Sequence, residues 1–187
     1  MGEKINVLFL DHDGVICLPN QWGKRNKGSL EIDSFFDKFD KKAVKILNEI
    51  INVTNCEIVI SSDWRFHCKI DQMQELYSKR GILKLPIDYT TINGLEIPEN
   101  FNWNSKFEIE QTRSLEIIQY VNSNKNINNW VAVDDLDLRK FLSNKKSEIV
   151  ETRNWGLDNF VWTPKYNEGI KQCNIKNKVI DFLTRNQ

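Results

Sequence analysis

The chain lacks a net charge. Lys and Arg together number 26, Asp and Glu number 26, and the formal charge at pH 7 is zero. A global basic footprint for nucleic acid or an anionic membrane is therefore excluded, though a local basic stretch is not. The chain also lacks any informative cysteine spacing. Cys17, Cys56, Cys68 and Cys173 form no C-x-x-C pair and no zinc pattern, which predicts reduced thiols in a soluble, cytoplasmic protein. No apolar run approaches the ~20 residues needed to span a bilayer, so no membrane partner is expected. Met1-Gly2-Glu3-Lys4-Ile5-Asn6 leads straight into an apolar strand-like run, which predicts no secretory leader. The Gly2 context also lacks the Ser or Thr of a myristoylation signal. There is no internal repeat, no low-complexity block and no linker. What is present is 187 residues, 40% of them apolar, enough for a real core. At about 150 residues per domain, a single domain over 1–187 is expected, with a small flap around 18–40 and a loop insertion around 84–107.

The most informative segment is Val7-Leu8-Phe9-Leu10-Asp11-His12-Asp13-Gly14-Val15. A short apolar run bounded by a turn signal reads as a buried strand. Side chains alternate along a strand, so Asp11 and Asp13 lean the same way where it opens into the turn, and His12 points away into packing or a hydrogen bond. Two carboxylates at one strand tip repel each other unless a cation or a proton lies between them. Mg²⁺, which takes oxygen ligands, is the natural occupant.

Further along, strand-like and helix-like segments alternate. Asp40 opens a helix with Val44, Leu47, Ile50 and Ile51 on one face. Cys56–Ile60 reads as a second strand ending at Ser61-Ser62-Asp63-Trp64-Arg65. A helix is predicted over Asp71–Lys79 with Gly81 as its stop, and a third strand within Leu85–Ile92. Glu108–Asn122 reads as a helix that buries Ile109, Leu115, Ile118 and Val121. Trp130–Val133 is a fourth strand ending at Asp134-Asp135-Leu136-Asp137, Ile149 and Val150 suggest a fifth, and Ile175–Leu183 is a last amphipathic helix. This alternation predicts an α/β domain with a mainly parallel five-stranded sheet. In such sheets, ligands bind beyond the carboxyl ends of the strands. Three strands end in polar clusters, at Asp11/Asp13, Ser61/Ser62 and Asp134/Asp135. If those strands are neighbours, the clusters meet at one edge. Several carboxylates with a hydroxyl and a cation beside them suit phosphoryl transfer.

Asp11-His12-Asp13-Gly14-Val15, Ile58-Val59-Ile60-Ser61 and Val131-Ala132-Val133-Asp134-Asp135 resemble the first, second and fourth motifs of the haloacid dehalogenase (HAD) superfamily of phosphohydrolases. Ser61-Ser62-Asp63-Trp64-Arg65, Arg113-Ser114-Leu115-Glu116-Ile117 and Gly156-Leu157 are similar to stretches in one branch, the HAD domains of Swiss-Army-knife RNA-repair proteins. The resemblance implies a Rossmann-like three-layer sandwich with a minimal cap. It implies a Mg²⁺-dependent phosphomonoester hydrolase working through an aspartyl-phosphate. Asp11 is then nucleophile and metal ligand, and Asp13 is general acid/base and lends its backbone carbonyl to the metal. Ser61, with Ser62 beside it, holds the phosphoryl group, Arg113 offsets its charge, and Asp135 binds the metal with Asp134 in support. In this superfamily a small lid goes with large substrates, which favours an RNA or DNA end; no obligate protein partner is implied.

Each residue also has a plainer reading. Asp-x-Asp-Gly is often just a turn. Ser61 or Ser62 can cap the following helix. Asp134 and Asp137 can be turn residues, and for Asp137 that reading is preferred. Lys106 competes with Arg113 as the phosphate-side cation. Trp64 reads as packing, His67 as surface, and Arg65 as either a structural pair or a substrate contact. Lys24-Arg25-Asn26-Lys27 is either a solvated loop or a substrate-facing patch. A nucleotidase or small-metabolite phosphatase is the enzymatic alternative. A catalytically silent binding module is the non-enzymatic one, and an Asp-phosphorylated receiver fits the motif order poorly.

Overall fold

The computed structural model describes residues 3–19, 38–91, 93, 105–139 and 159–185. Five parallel strands form one sheet in the order β3-β2-β1-β4-β5. They are β1 (Ile5–Leu10), β2 (Glu57–Ile60), β3 (Pro86–Tyr89), β4 (Ile127–Asp134) and β5 (Phe160–Trp162). The helices are α1 (Lys41–Thr54), α2 (Ile70–Lys79), α3 (Lys106–Ser123) and α4 (Ile175–Leu183), with 3-10 turns at Asp63–Phe66 and Gly169–Lys171. The α/β architecture is the one expected.

β1 is central because it can afford no exposed face. Val7, Leu8, Phe9 and Leu10 are all fully buried, and each such side chain contributes about 1.5–3 kcal/mol by leaving water. Alternation along the strands divides the core in two. Leu8, Leu10, Ile58, Ile60, Val131 and Val133 pack with α1, α2 and α4. Val7, Phe9, Val59, Trp130 and Ala132 pack with α3. The result is a three-layer sandwich. Phe9 meets Tyr120 and Trp130 edge-on, at 5.6 and 5.7 Å between ring centroids. Pro86, which has no N–H to give, opens an edge strand, where the loss costs least.

Local signals set the helix ends. The Asp40 carboxylate accepts from the Lys42 and Ala43 amides at 2.9 Å and caps α1. Asn55, in the left-handed region at φ 48°, closes that helix. Gly81, at φ 75°, follows α2. α3 departs from expectation. Ile118 and Val121 are buried, but Ile109 and Leu115 are only half-buried. The inward face carries Glu110, Thr112, Arg113, Ser114 and Glu116 instead. This helix meets the sheet with polar groups because it serves the strand tips as well as the core. The suggested fifth strand at Ile149 and Val150 and the Gly156-Leu157 pair lie outside the described residues, as do most of the flap (20–37) and residues 92 and 94–104 of the insertion; the rest of the insertion holds β3 and the start of α3. The observed β5, Phe160–Trp162, is too short at 3 residues to carry a periodic signal.

The loop after β1 is wound tightly. The His12 carbonyl accepts from Val15, Ile16 and Cys17 amides at 2.7–3.2 Å. Elements after β4 brace this loop. Ile170 donates its amide to the Val15 carbonyl at 3.0 Å, and the Thr163 hydroxyl reaches the Gly14 carbonyl at 3.4 Å. A side chain at Gly169 would run into the Val15 and Gly14 carbonyls. Lys171 pairs with Asp40 at 3.0 Å.

His12 points away from the two aspartates, as alternation requires. Its Nε2 and the Tyr77 hydroxyl share a hydrogen bond of 2.8 Å, and its ring packs on Phe39 and Trp64. Burial, aided by the charge of Arg113, lowers its pKa to about 3. An unfolded histidine protonates near ~6.5. The unfolded chain therefore binds more protons between those values, and stability from His12 is present above ~6.5 and lost as pH falls toward ~3. A His12→Phe/Tyr77→Phe double variant removes both polar atoms. Its melting temperature should fall less steeply than the wild type's between about pH 6.5 and 4; parallel curves would assign that acid limb to other groups.

Candidate active site

The sheet register acts as a ruler for the strand tips. Leu10 pairs with both Ile60 and Val133, and hydrogen bonding continues one residue beyond the strands. The Asp11 amide donates to Val133, Ser61 to Leu10, Thr90 to Ile60 and Thr163 to Asp134, all at 2.9–3.1 Å. Asp11, Ser61 and Asp134 thus lie side by side at the carboxyl edge. The chain leaves β1 for β2 on one side and returns to β4 on the other, so the edge between β1 and β4 is the switch point where parallel sheets form a crevice. A cavity of about 310 Å³ opens there, lined by Asp11, Asp13, Ser62, Asp63, Lys106, Ile109, Arg113, Asp135 and Leu136.

Asp11, Asp134 and Asp135 each bring one carboxylate oxygen within 4.8 Å of the others. Asp135 comes this close because residue 14 is glycine. Gly14 sits at φ 71°, and a Cβ there would overlap the Asp135 carboxylate. Burial, then the charge of Asp134, raises Asp11 well above the usual carboxylate range against the pull of Arg113. Burial and Asp134 push Asp135 up to about 6. Three crowded, desolvated carboxylates are a donor set of hard oxygens whose repulsion a divalent cation relieves. The residues present therefore fit Mg²⁺.

Arg113, two turns into α3, is the cation of the cluster. Its guanidinium donates to Asp134 at 3.0 Å and to Asp63 at 2.8 Å, and lies 3.6 Å from Asp11. Burial works against its charge, but these three carboxylates outweigh burial and hold it protonated. Lys106 stands at the rim, largely exposed, 3.8 Å from Glu110. Both candidate cations therefore reach the cavity, one deep and one shallow.

The two serines part company. Both hydroxyls are buried: that of Ser61 has no hydrogen-bond partner among the described residues, and that of Ser62 lies against the Asp11 carboxylate, whose charged form it favours. Ser62 lines the cavity; Ser61, the serine favoured from the sequence, is outside the lining. Ser62 starts the 3-10 turn but its hydroxyl makes no cap. The Asp13 side chain lies outside the carboxylate triad, and its Oδ2 accepts from the Trp64 indole at 2.8 Å. Asp134 is also a turn residue, accepting the Leu136 amide at 2.8 Å. Asp137 is one too, holding the Arg139 guanidinium. Arg65 resolves as a strut. It donates to buried Glu116 at 2.8 Å and to the Ser62 carbonyl at 3.0 Å, while Glu116 also accepts from Thr90. His67 is exposed, and Lys24-Arg25-Asn26-Lys27 lies outside the described residues. The sequence reading missed Asp63 as a site residue, although it follows the two serines at a strand tip. It also missed the Trp64–Asp13 bond, for which no local pattern exists.

The raised pKa of Asp135 has a testable sign. Between an unfolded value of ~4 and about 6 the folded protein binds more protons, so the cost of ionising Asp135 is full above ~6 and vanishes below ~4. Asp135→Asn should raise the melting temperature of metal-free protein at about pH 7.5, with the gain shrinking toward pH 4. It should also remove most of the stabilisation that Mg²⁺ gives the wild type. A lower melting temperature at pH 7.5 would show that the carboxylate is not strained in the absence of metal.

No curated protein and no solved structure matches the chain. One family model does, that of the HAD domain in Swiss Army Knife RNA repair proteins, over residues 7–159. That span runs from β1 to the threshold of β5 and takes in every strand tip that carries a carboxylate of the cluster. The chain belongs to this family of HAD domains from RNA-repair proteins.

Proposed function

We propose that the protein is a Mg²⁺-dependent phosphomonoester hydrolase whose substrates are phosphorylated polynucleotide ends. The observation that carries this reading is the meeting of Asp11, Asp134 and Asp135 within 4.8 Å beside Arg113, in a cavity that Asp13 and Ser62 also line. Membership of a HAD family of phosphohydrolase type, found in RNA-repair proteins, supports it.

In this mechanism an Asp11 oxygen attacks phosphorus while the bond to the leaving oxygen breaks. Asp13 gives its proton to that oxygen. Water then attacks the aspartyl-phosphate, passing a proton back to Asp13, and phosphate leaves with Asp11 restored. Asp11, Asp134 and Asp135, with the Asp13 carbonyl, would hold Mg²⁺, which would supply Lewis-acid neutralisation of the phosphoryl charge. Ser62, with Ser61 as its neighbour, offers a buried hydroxyl at the cavity wall to a phosphoryl oxygen. Arg113 keeps Asp11 and Asp134 from repelling each other, and Lys106 at the rim meets incoming phosphate.

The test is phosphate release from a panel of 3′- and 5′-phosphorylated oligonucleotides, nucleoside monophosphates, sugar phosphates and an activated aryl phosphate. EDTA should silence turnover and Mg²⁺ restore it. Asp11→Asn should abolish it with a preserved fold, because an amide is no nucleophile. Asp13→Asn should cost on the order of 10²–10⁴-fold. Oligonucleotides should give the highest kcat/KM, falling as salt rises. Equal kcat/KM for a nucleoside monophosphate, with no salt dependence, would favour a nucleotidase. Full activity in Asp11→Asn would exclude the aspartyl-phosphate route.

A further inference from the structure

We infer that Phe66 is a stacking platform for the substrate: its exposed ring, at the rim of the cavity, takes a nucleobase near the phosphorylated end of a polynucleotide. The inference rests on the phosphatase reading above and names the part of the substrate held beside the phosphate.

Single apolar side chains are ordinary at a protein surface; the placement of this one is not. Phe66 is 57% exposed and closes the 3-10 turn Asp63–Phe66 that follows the tip of β2. In a 3-10 turn, side chains three residues apart eclipse each other. Phe66 therefore stands on the side of the turn that carries Asp63, and Asp63 lines the cavity and holds Arg113 at 2.8 Å. Arg65 gives a second measure. Its guanidinium carbon lies 4.5 Å from the Phe66 ring centroid, and its Nη1 lies 4.0 Å from the Asp63 carboxylate. Among the described residues, the other large apolar side chains that are exposed sort by edge. Val53, Leu83 and Leu85 stand where the chain leads into β2 and β3, at the amino edge of the sheet, and Ile87 is within β3. The two aromatic ones, Phe66 and Tyr166, follow β2 and β5, at the carboxyl edge where the cavity opens.

The ring is backed by a fixed cation. The Arg65 side chain is 8% exposed, and it donates to the Ser62 carbonyl at 3.0 Å and to buried Glu116 at 2.8 Å. Its guanidinium attracts one face of the Phe66 ring through the ring's quadrupole. More than half of the residue stays in water. A flat apolar surface already held in one orientation loses little freedom when a ligand stacks on it. In a phosphorylated polynucleotide end, the flat apolar group carried near the phosphoryl group is a base. Every base has a π face, so such a platform accepts any sequence. It also suits a chain with no net charge, because a stacked base supplies affinity that salt does not screen.

An abasic scan tests this. A single abasic residue is moved through the last three nucleotides of the phosphorylated oligonucleotide that the wild type prefers, and kcat and KM for phosphate release are measured with Mg²⁺ saturating. Stacking away from the phosphorus binds ground state and transition state alike, so it is read in KM. In the wild type, one abasic position should raise KM on the order of 5-fold or more with kcat little changed. In Phe66→Ala the same position should cost less than about 2-fold. Phe66→Tyr should restore the wild-type penalty, whereas Phe66→Leu, which keeps apolar bulk without a π face, should not. If the alanine variant does not fold, the leucine variant carries the comparison. Leu85→Ala, at the other edge of the sheet, should keep the wild-type penalty. A flat scan in the wild type, or an equal penalty in Phe66→Ala, would overturn the inference and leave the phosphatase reading intact. A wild type that releases phosphate from no oligonucleotide would overturn the polynucleotide reading and this one together.

Discussion

The Arg113 guanidinium, buried against the carboxylates of Asp11, Asp134 and Asp63, is the contact on which the strand tips depend. Removing a cation and several anions from water costs several kcal/mol per ion, and the attraction between them repays it only with good geometry. The geometry here is supplied by four different elements. β1 presents Asp11, β4 presents Asp134, the turn after β2 presents Asp63, and α3 brings the arginine. The pair is therefore also a joint between the helix and the sheet. A lysine would offer a point charge where a fork is needed, since two different carboxylates are bonded by two different nitrogens.

The remaining acidic group, Asp135, is outside the reach of that fork, and the protein tolerates it at an elevated pKa. Its approach to Asp11 is permitted by the missing side chain of Gly14. The site is thus rich in acidic groups: Arg113 is bonded deeply, Lys106 stands at the rim, and five carboxylates, of Asp11, Asp13, Asp63, Asp134 and Asp135, face or border the cavity. A divalent ion and a phosphoryl group bring opposite charges to such a site, each making room for the other. Ser62, buried at the cavity wall, sets its hydroxyl against the Asp11 carboxylate and so favours the charged form that burial opposes.

Much of this could be seen in the sequence because parallel strands convert order along the chain into adjacency in space. Asp11, Ser61 and Asp134 needed only to be recognised as the residues that follow apolar runs; the register then places them in one row. The helix Ile175–Leu183 and the Asp40 cap were legible for local reasons, period and hydrogen-bonding chemistry. The illegible parts are tertiary. α3 buries Glu110, Arg113 and Glu116, so its inward face does not stand out as apolar. The choice between Ser61 and Ser62 turns on how the chain bends into a 3-10 turn. The indole of Trp64 reaches Asp13 through a fold that brings distant segments together, which no spacing encodes.

The bracing of the first loop by the elements after β4 has a consequence for how the molecule is built. The Gly14 carbonyl receives the Thr163 hydroxyl from 149 residues away, and Asp40 receives Lys171 from 131. β1 itself must wait for β4 to fill its second edge. Contacts of such separation are entropically late in folding, because long loops must close before they are rewarded. During synthesis, Asp11 and Asp13 emerge ahead of α1, β2, α2, β3, α3 and β4 and stay without their braces until those elements have been made. Vectorial folding would thus yield a chain whose α1–β2–α2–β3 half is formed first, with the carboxylate cluster assembling as the closing event.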